Sequence, residues 1–230
     1  MNDEARPIDR LLDAALPHVA FDGWSEATFR AAVAGSDLDA VEARMIAPRG
    51  ALDLAVAYHR RGDRAMLDAL TVEDLGALKF RDRVARALEL RIDALDDREA
   101  VRRASSLFTL PQNSAEGARL VWETADHVWT ALGDTSDDVN WYTKRATLSG
   151  VWASTVLFWL GDDSPGAIDT RAFMRRRIDN VMQIEKVKAQ LRENPVTKGL
   201  MSGVGALFSR VSAPNRSRSD LPGTWTRTDP

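Results

Sequence analysis

The side chains best able to do acid–base or metal chemistry are three histidines, His18, His59 and His127. They are far apart in the chain, none has the spacing of a metal-ligand pair, and no Glu-x-x-His pair of a di-iron bundle occurs. Cysteine is absent, which excludes a thiolate nucleophile, a disulfide framework and a Cys-bearing zinc site, and fits a reducing compartment. Neither a phosphate-binding glycine loop, a dinucleotide fingerprint nor a serine nucleophile elbow is present. The acid pairs Asp137-Asp138 and Asp162-Asp163 sit in turn-like sequence, where adjacent side chains diverge, so helix capping is the expected role. His127 follows Asp126 and reads as a surface histidine rather than half of a proton relay. No catalytic residue, cofactor or metal is expected.

Binding chemistry is better represented. Asn140, Trp141 and Tyr142 follow Asp137-Asp138, which places the aromatic pair in the first turn of a helix capped by Ser136 or Asp137. With Lys144 and Arg145 beside them, and Asp126 and Trp129 across a short turn, they make a candidate partner-binding patch. On that reading Trp141→Lys abolishes partner binding without unfolding. The alternative is that Trp141 packs into the helix corner. The same helix is apolar nearly all round, with Leu148, Trp152, Val156 and Trp159 on one stripe. Trp122 lies seven residues from Trp129 on the helix before it. Trp122, Leu148, Trp152, Val156 and Trp159 are therefore the candidate lipid-binding residues. An ordinary aromatic core is the other reading.

Helix-forming residues dominate and period-two alternation is almost absent, so the chain reads as all-α. Helices are expected over 7–19, 26–33, 38–45, 51–69, 75–95, 98–108, 115–132, 139–160 and 166–192. Three short helices with a glycine-containing turn form a helix-turn-helix-like module over 1–48, followed by a larger ligand-binding and dimerisation bundle over 49–193. The module is a poor DNA reader, because the segment from Asp37 to Met45 carries three acids besides its one base, Arg44. It reads as a scaffold that binds no nucleic acid. In the last helix Met174, Ile178, Val181 and Met182 form an apolar stripe opposite Arg175, Arg176 and Arg177, which suits a homodimer face or packing within one subunit.

Beyond a break at Asn194-Pro195, a segment over 194–212 carries Val196, Leu200, Val204, Leu207, Phe208 and Val211 on one helical face. Ten Lys/Arg against three Asp/Glu lie between Arg175 and Arg218, a local balance of +7 in a chain of net charge −3. An amphipathic, basic segment of this kind suits an anionic membrane surface, or a lid over a lipid pocket. Residues 213–230 have the composition of a disordered tail. The first ten residues read as neither a signal nor a transit peptide, and the longest charge-free apolar stretch, 146–161, is too short to span a bilayer.

The region 110–177 is the most distinctive. Asp126, Trp129, Gly133-Asp134, Asn140-Trp141-Tyr142-Thr143, Arg145, Leu148, Asp163-Ser164-Pro165, Asp169-Thr170, Phe173 and Arg177 together resemble the ubiquinone-biosynthesis lipid-binding accessory family. The resemblance implies a TetR-repressor-like dimer without DNA binding. It also implies a cavity for an isoprenoid quinone or phospholipid, and a surface that docks the demethoxyubiquinone hydroxylase and other ubiquinone-biosynthesis proteins. Because a transit peptide is missing, it further implies a bacterial relative, cytoplasmic and peripheral on the inner membrane. A TetR-type regulator with a hydrophobic ligand is the competing reading.

Overall fold

The computed structural model describes residues 6–193, with side chains as far as 181, and contains nine α-helices and no strand among them. The C-terminal residues Val196, Leu200, Val204, Leu207, Phe208 and Val211, with the rest of 194–230, lie outside the described residues.

Helix α1 (Pro7–Asp22) opens with proline in its first turn, where a missing N–H costs nothing, and buries Leu11, Leu12, Ala15 and Val19. Ser25 caps α2 (Glu26–Gly35) by accepting from the Thr28 N–H. Asp39 and Glu42 form a reciprocal capping box on α3 (Ala40–Ile46), so two acids of the candidate recognition helix hold its own first turn. The single base of that helix, Arg44, pairs with Glu26 at 2.5 Å and lies over the Phe29 ring.

The longer helices are α4 (Ala51–Thr71), α5 (Phe80–Asp93), α6 (Arg98–Thr109), α7 (Ser114–Ala131), α8 (Val139–Trp159) and α9 (Ile168–Glu193). Eight of the nine start within two residues of the sequence expectation. The exception is α5, which begins at Phe80 rather than at 75. There the Asp74 carboxylate accepts the Gly76 N–H at 2.9 Å, and this local turn competes with the helix that the apolar period suggests. The cap of α8 also differs: Asp138, not Ser136 or Asp137, accepts the Asn140 N–H. At the corner between α8 and α9, Asp162 accepts from the Ser164 N–H and from both the N–H and hydroxyl of Thr170. Those bonds hold its carboxyl far below the usual range.

Helix α1 packs on α2, α4 and α6; α4 on α5 and α7; and α8 on α7 and α9. The short N-terminal helices share one continuous core with the bundle, and Trp24 Nε1 fastens them to α6 by donating to the Ala100 carbonyl at 3.1 Å. Half of the stripe on α9 is consumed inside the subunit: Met174 and Ile178 are buried, Val181 is half-buried, and α9 packs against α5 and α8, while the side chain of Met182 lies outside those described. Met174 and Ile178 are therefore not a dimer face. Exposed apolar side chains among the described residues include Leu157 and Phe158 of α8 and Ile168 of α9.

Candidate ligand cavity and partner surface

A cavity of about 560 Å³ lies among α4, α5, α6, α7 and α8. Its origin is compositional. Gly62, Ala94, Ala104, Gly117, Ser149, Gly150 and Ala153 line it, so the facing helices are held apart by their larger neighbours and little side-chain volume fills the space between. Around this small-residue lining stand Tyr58, Phe108, Trp122, Trp152, Val156 and Leu157. The volume and apolar lining are those of a small-molecule site.

Three of the five candidate lipid residues, Trp122, Trp152 and Val156, line the cavity. Leu148 and Trp159 do not. Leu148 borders a second, smaller pocket of about 90 Å³ between α5, α8 and α9, and Trp159 is buried in the core beneath Arg98. Trp159 and Trp152 both face inward, but the indole at 159 is a further two turns along α8 and passes the end of the cavity.

One wall of the cavity is polar, which the apolar helix pattern does not predict. His59, which lines it, donates from Nε2–H to Thr124 Oγ1 at 2.9 Å and to the Leu120 carbonyl at 3.2 Å; its tautomer is assigned from these partners. The Thr124 hydroxyl in turn donates to the Asp63 carboxylate, which is 1 % exposed. Arg91 donates from Nε to Asp63 Oδ1 at 2.7 Å and from Nη2 to the His59 carbonyl at 3.0 Å. His127 Nδ1 lies 3.3 Å from Asp63 Oδ2. Burial, reinforced by the Arg91 charge, pushes His59 down to about 4, although Asp63 opposes this. Burial would raise Asp63, but His127, His59 and Arg91 outweigh it and hold the carboxyl at about 2. The Asp63 carboxylate beside it raises His127.

Thus His127, expected at the surface, meets His59 at one buried carboxylate. The histidines are distant in sequence and adjacent in space. The signal available beforehand was the i,i+4 spacing of His59 and Asp63 on an otherwise apolar helix face. No group of three or more His, Asp or Glu among the described residues is arranged to hold a metal.

The candidate partner residues do come together, at the junction of α7 and α8, but not as an exposed patch. Trp141 is 8 % exposed and packs edge-on against Tyr142 at 4.8 Å and beside Trp122 at 5.9 Å. Arg145 is fully buried. Its Nε donates to Asp126 at 2.5 Å, its Nη1 donates to Asp134 at 3.0 Å, and its guanidinium lies over the Trp141 ring. Lys144 also donates to Asp134, at 2.8 Å, and lies over Trp129, whose indole donates to the Lys144 carbonyl. Burial opposes ionisation of Asp134, yet the donors Lys144, Arg145 and Ser136 bring its carboxyl down to about 2.

Corner packing therefore describes Trp129, Trp141 and Arg145. The expectation of an exposed Trp141 is overturned, because the first turn of α8 tucks under α7 instead of projecting from it. Tyr142, Lys144 and Asp126 retain part of their surface. No helix among the described residues is long and apolar enough to cross a membrane.

Residues 114–185 match the COQ9 family model. The chain is 28% identical over 221 residues to the rat "Ubiquinone biosynthesis protein COQ9, mitochondrial", covering 91% of this chain and 70% of that protein. Similarity to the protein of the same description from Xenopus tropicalis is 29% over 222 residues, covering 91% and 68%. A crystal structure of a TetR transcriptional regulator from Nitrosomonas europaea superposes with a TM-score of 0.62 at 21% identity, covering 75% of this chain and 95% of that one. The family match includes both α8 and the whole junction around Arg145. The structural likeness bears on the fold alone.

Proposed function

We propose that this chain, whose family match is COQ9 and whose fold is that of a TetR regulator, serves ubiquinone biosynthesis as a lipid-binding accessory protein without catalytic activity of its own. It takes a prenylated quinone intermediate from a membrane surface into the cavity and presents it to the hydroxylase that acts on it. The observation that carries this reading is the cavity of about 560 Å³, walled by Phe108, Trp122, Trp152 and Val156. Burial of an isoprenoid tail there contributes roughly 25 cal/mol for each Å² removed from water.

Trp122 supports a link between ligand and partner, since it lines the cavity and also touches Trp141 and Tyr142. Tyr142, Lys144 and Asp126 are the residues through which the hydroxylase would feel that contact. Leu157 and Phe158 are the exposed apolar positions suited to a second copy of the chain. The basic, amphipathic sequence over 194–212 supports work at an anionic leaflet.

The regulator reading is less well supported, because the acids of α3 are engaged in its own cap and Arg44 is tied to Glu26. Native mass spectrometry of the protein purified from membranes tests the proposal: a bound prenylated quinone or phospholipid is expected. Protein that carries no lipid, and takes up none from vesicles containing ubiquinone precursors, would remove it.

A further inference from the structure

Two donors at the polar wall of the cavity have no acceptor among the described residues. Arg91 spends Nε on Asp63 and Nη2 on the His59 carbonyl, while its Nη1 is buried and unbonded. Trp152 is 1 % exposed, and its Nε1 is likewise buried and unbonded. The two groups belong together, since the Arg91 guanidinium lies 5.1 Å from the centre of the Trp152 ring and both residues line the cavity. An unsatisfied buried donor costs about 1–3 kcal/mol, so two at one apolar cavity mark a place where an acceptor is expected.

We infer that the Arg91–Trp152 wall binds the polar head of the cavity's ligand, and that this head is an uncharged carbonyl-type oxygen on an otherwise apolar molecule. Charge selects the neutral acceptor. Arg91 is already balanced by Asp63, whose carboxylate also accepts from Thr124. A phosphate or carboxylate brought to the same wall would leave a net buried negative charge, which is strongly penalised. A neutral carbonyl takes both donors and adds no charge.

The guanidinium is also prevented from swinging away. Its bonds to Asp63 and the His59 carbonyl hold it, and glycine at 62 on α4 leaves it room, since a Cβ there would stand 2.4 Å from Nη1. The head therefore sits deep against α4 and α5, with its tail toward the α6–α8 side, where Phe108, Val156 and Leu157 lie.

This assignment rests on the cavity being a ligand site, and the test separates the two ideas. Delipidated full-length protein is loaded with a fluorescent apolar probe. Displacement is then measured with a decyl-substituted benzoquinone, a methyl ester of a twelve-carbon acid, dodecylbenzene and dodecyl phosphate. The quinone and the ester each present a neutral carbonyl oxygen, one on a quinone ring and one on an acyl chain, and whichever competes better identifies which of these two sources supplies the head.

At least one of them should displace the probe about 10-fold better than dodecylbenzene, for two donors satisfied. Trp152→Phe and Arg91→Lys, each checked for helical content, should each cut that preference, taken as the ratio to dodecylbenzene displacement in the same variant, about 3- to 10-fold. Equal displacement by all four compounds, a preference for dodecyl phosphate, or an unchanged preference in both variants would overturn the head assignment while leaving the cavity as a ligand site. Displacement by none of them would overturn the cavity reading, and the assignment with it.

Discussion

The ring of Trp122 lies 5.9 Å from that of Trp141, and Trp122 alone of the two lines the cavity. One indole thus separates the cavity from the α7–α8 junction. A ligand that moves Trp122 changes what Trp141 and its neighbour Tyr142 pack against, without either touching the ligand.

Burial changes what substitution at position 141 should do. Trp141→Lys places an unpaired ammonium in a packed corner and removes a large ring, so a loss of about 3–5 kcal/mol or failure to fold is expected. Tyr142→Ala, at a half-buried position, should cost about 1–2 kcal/mol and weaken partner binding more than stability. Urea denaturation beside a pull-down with the hydroxylase checks both. A stable, well-folded Trp141→Lys variant would contradict the corner packing.

Arg145 is enclosed by Asp126, Asp134 and the Trp141 ring, with Asp134 almost fully buried. Arg145→Met leaves Asp134 with Lys144 and Ser136 but without its buried counter-charge, and should destabilise by about 3 kcal/mol at neutral pH. Asp134 titrates near 2 in the folded chain, below its ordinary 3.8, so its contribution is present above that ordinary value and fades as pH falls toward 2. The variant and the parent should therefore converge in stability as pH approaches 2, as thermal melts across an acid series would show.

His59 gives a second pH signature of a different origin. Its folded pKa of about 4 lies below the ordinary 6.5, so the unfolded chain binds the proton more readily between those values. Stability from this group is complete above 6.5 and declines as pH falls to about 4. The loss is on the order of 3 kcal/mol, since a tenfold difference in proton affinity is worth about 1.4 kcal/mol and the opposing pull of Asp63 is already included in the folded value. His127, raised by Asp63, acts in the opposite sense, stabilising at acid pH and losing that effect as pH rises through its folded value. Asp63, Arg91 and Thr124 face His59, and Glu123 and Asp126 add charge near His127. His59→Gln should flatten the stability profile between pH 6.5 and 4; an unaltered slope would place the acid sensitivity elsewhere.

Gly62 and Gly150 make a contrasting pair on the cavity wall. Gly62→Ala drives a methyl into the Arg91 guanidinium, held on two sides, and should destabilise by about 1–3 kcal/mol despite alanine's better helix propensity. No atom lies within 4 Å of a Cβ placed at Gly150. Gly150→Phe should keep the fold, gain about 0.5 kcal/mol of helix propensity, and reduce the lipid carried, as intact-mass spectra would report.

The sequence by itself determined the all-α class and where eight of the nine helices begin, because apolar period and capping chemistry are local properties carried by nearby residues. Residues spread over 110–177, Asn140 through Arg145 among them, also carry the resemblance to the family whose model matches 114–185. What only the tertiary structure decided is depth and company. The helix-corner geometry sent Trp141 and Arg145 inward. The stacking of α4 on α7 brought His59, Asp63, Arg91 and His127 to one point from segments up to 68 positions apart. The cavity came from small residues that five different segments happen to turn toward each other. Such convergence depends on how helices cross, and neither the period nor the spacing along one helix encodes what its neighbour will present.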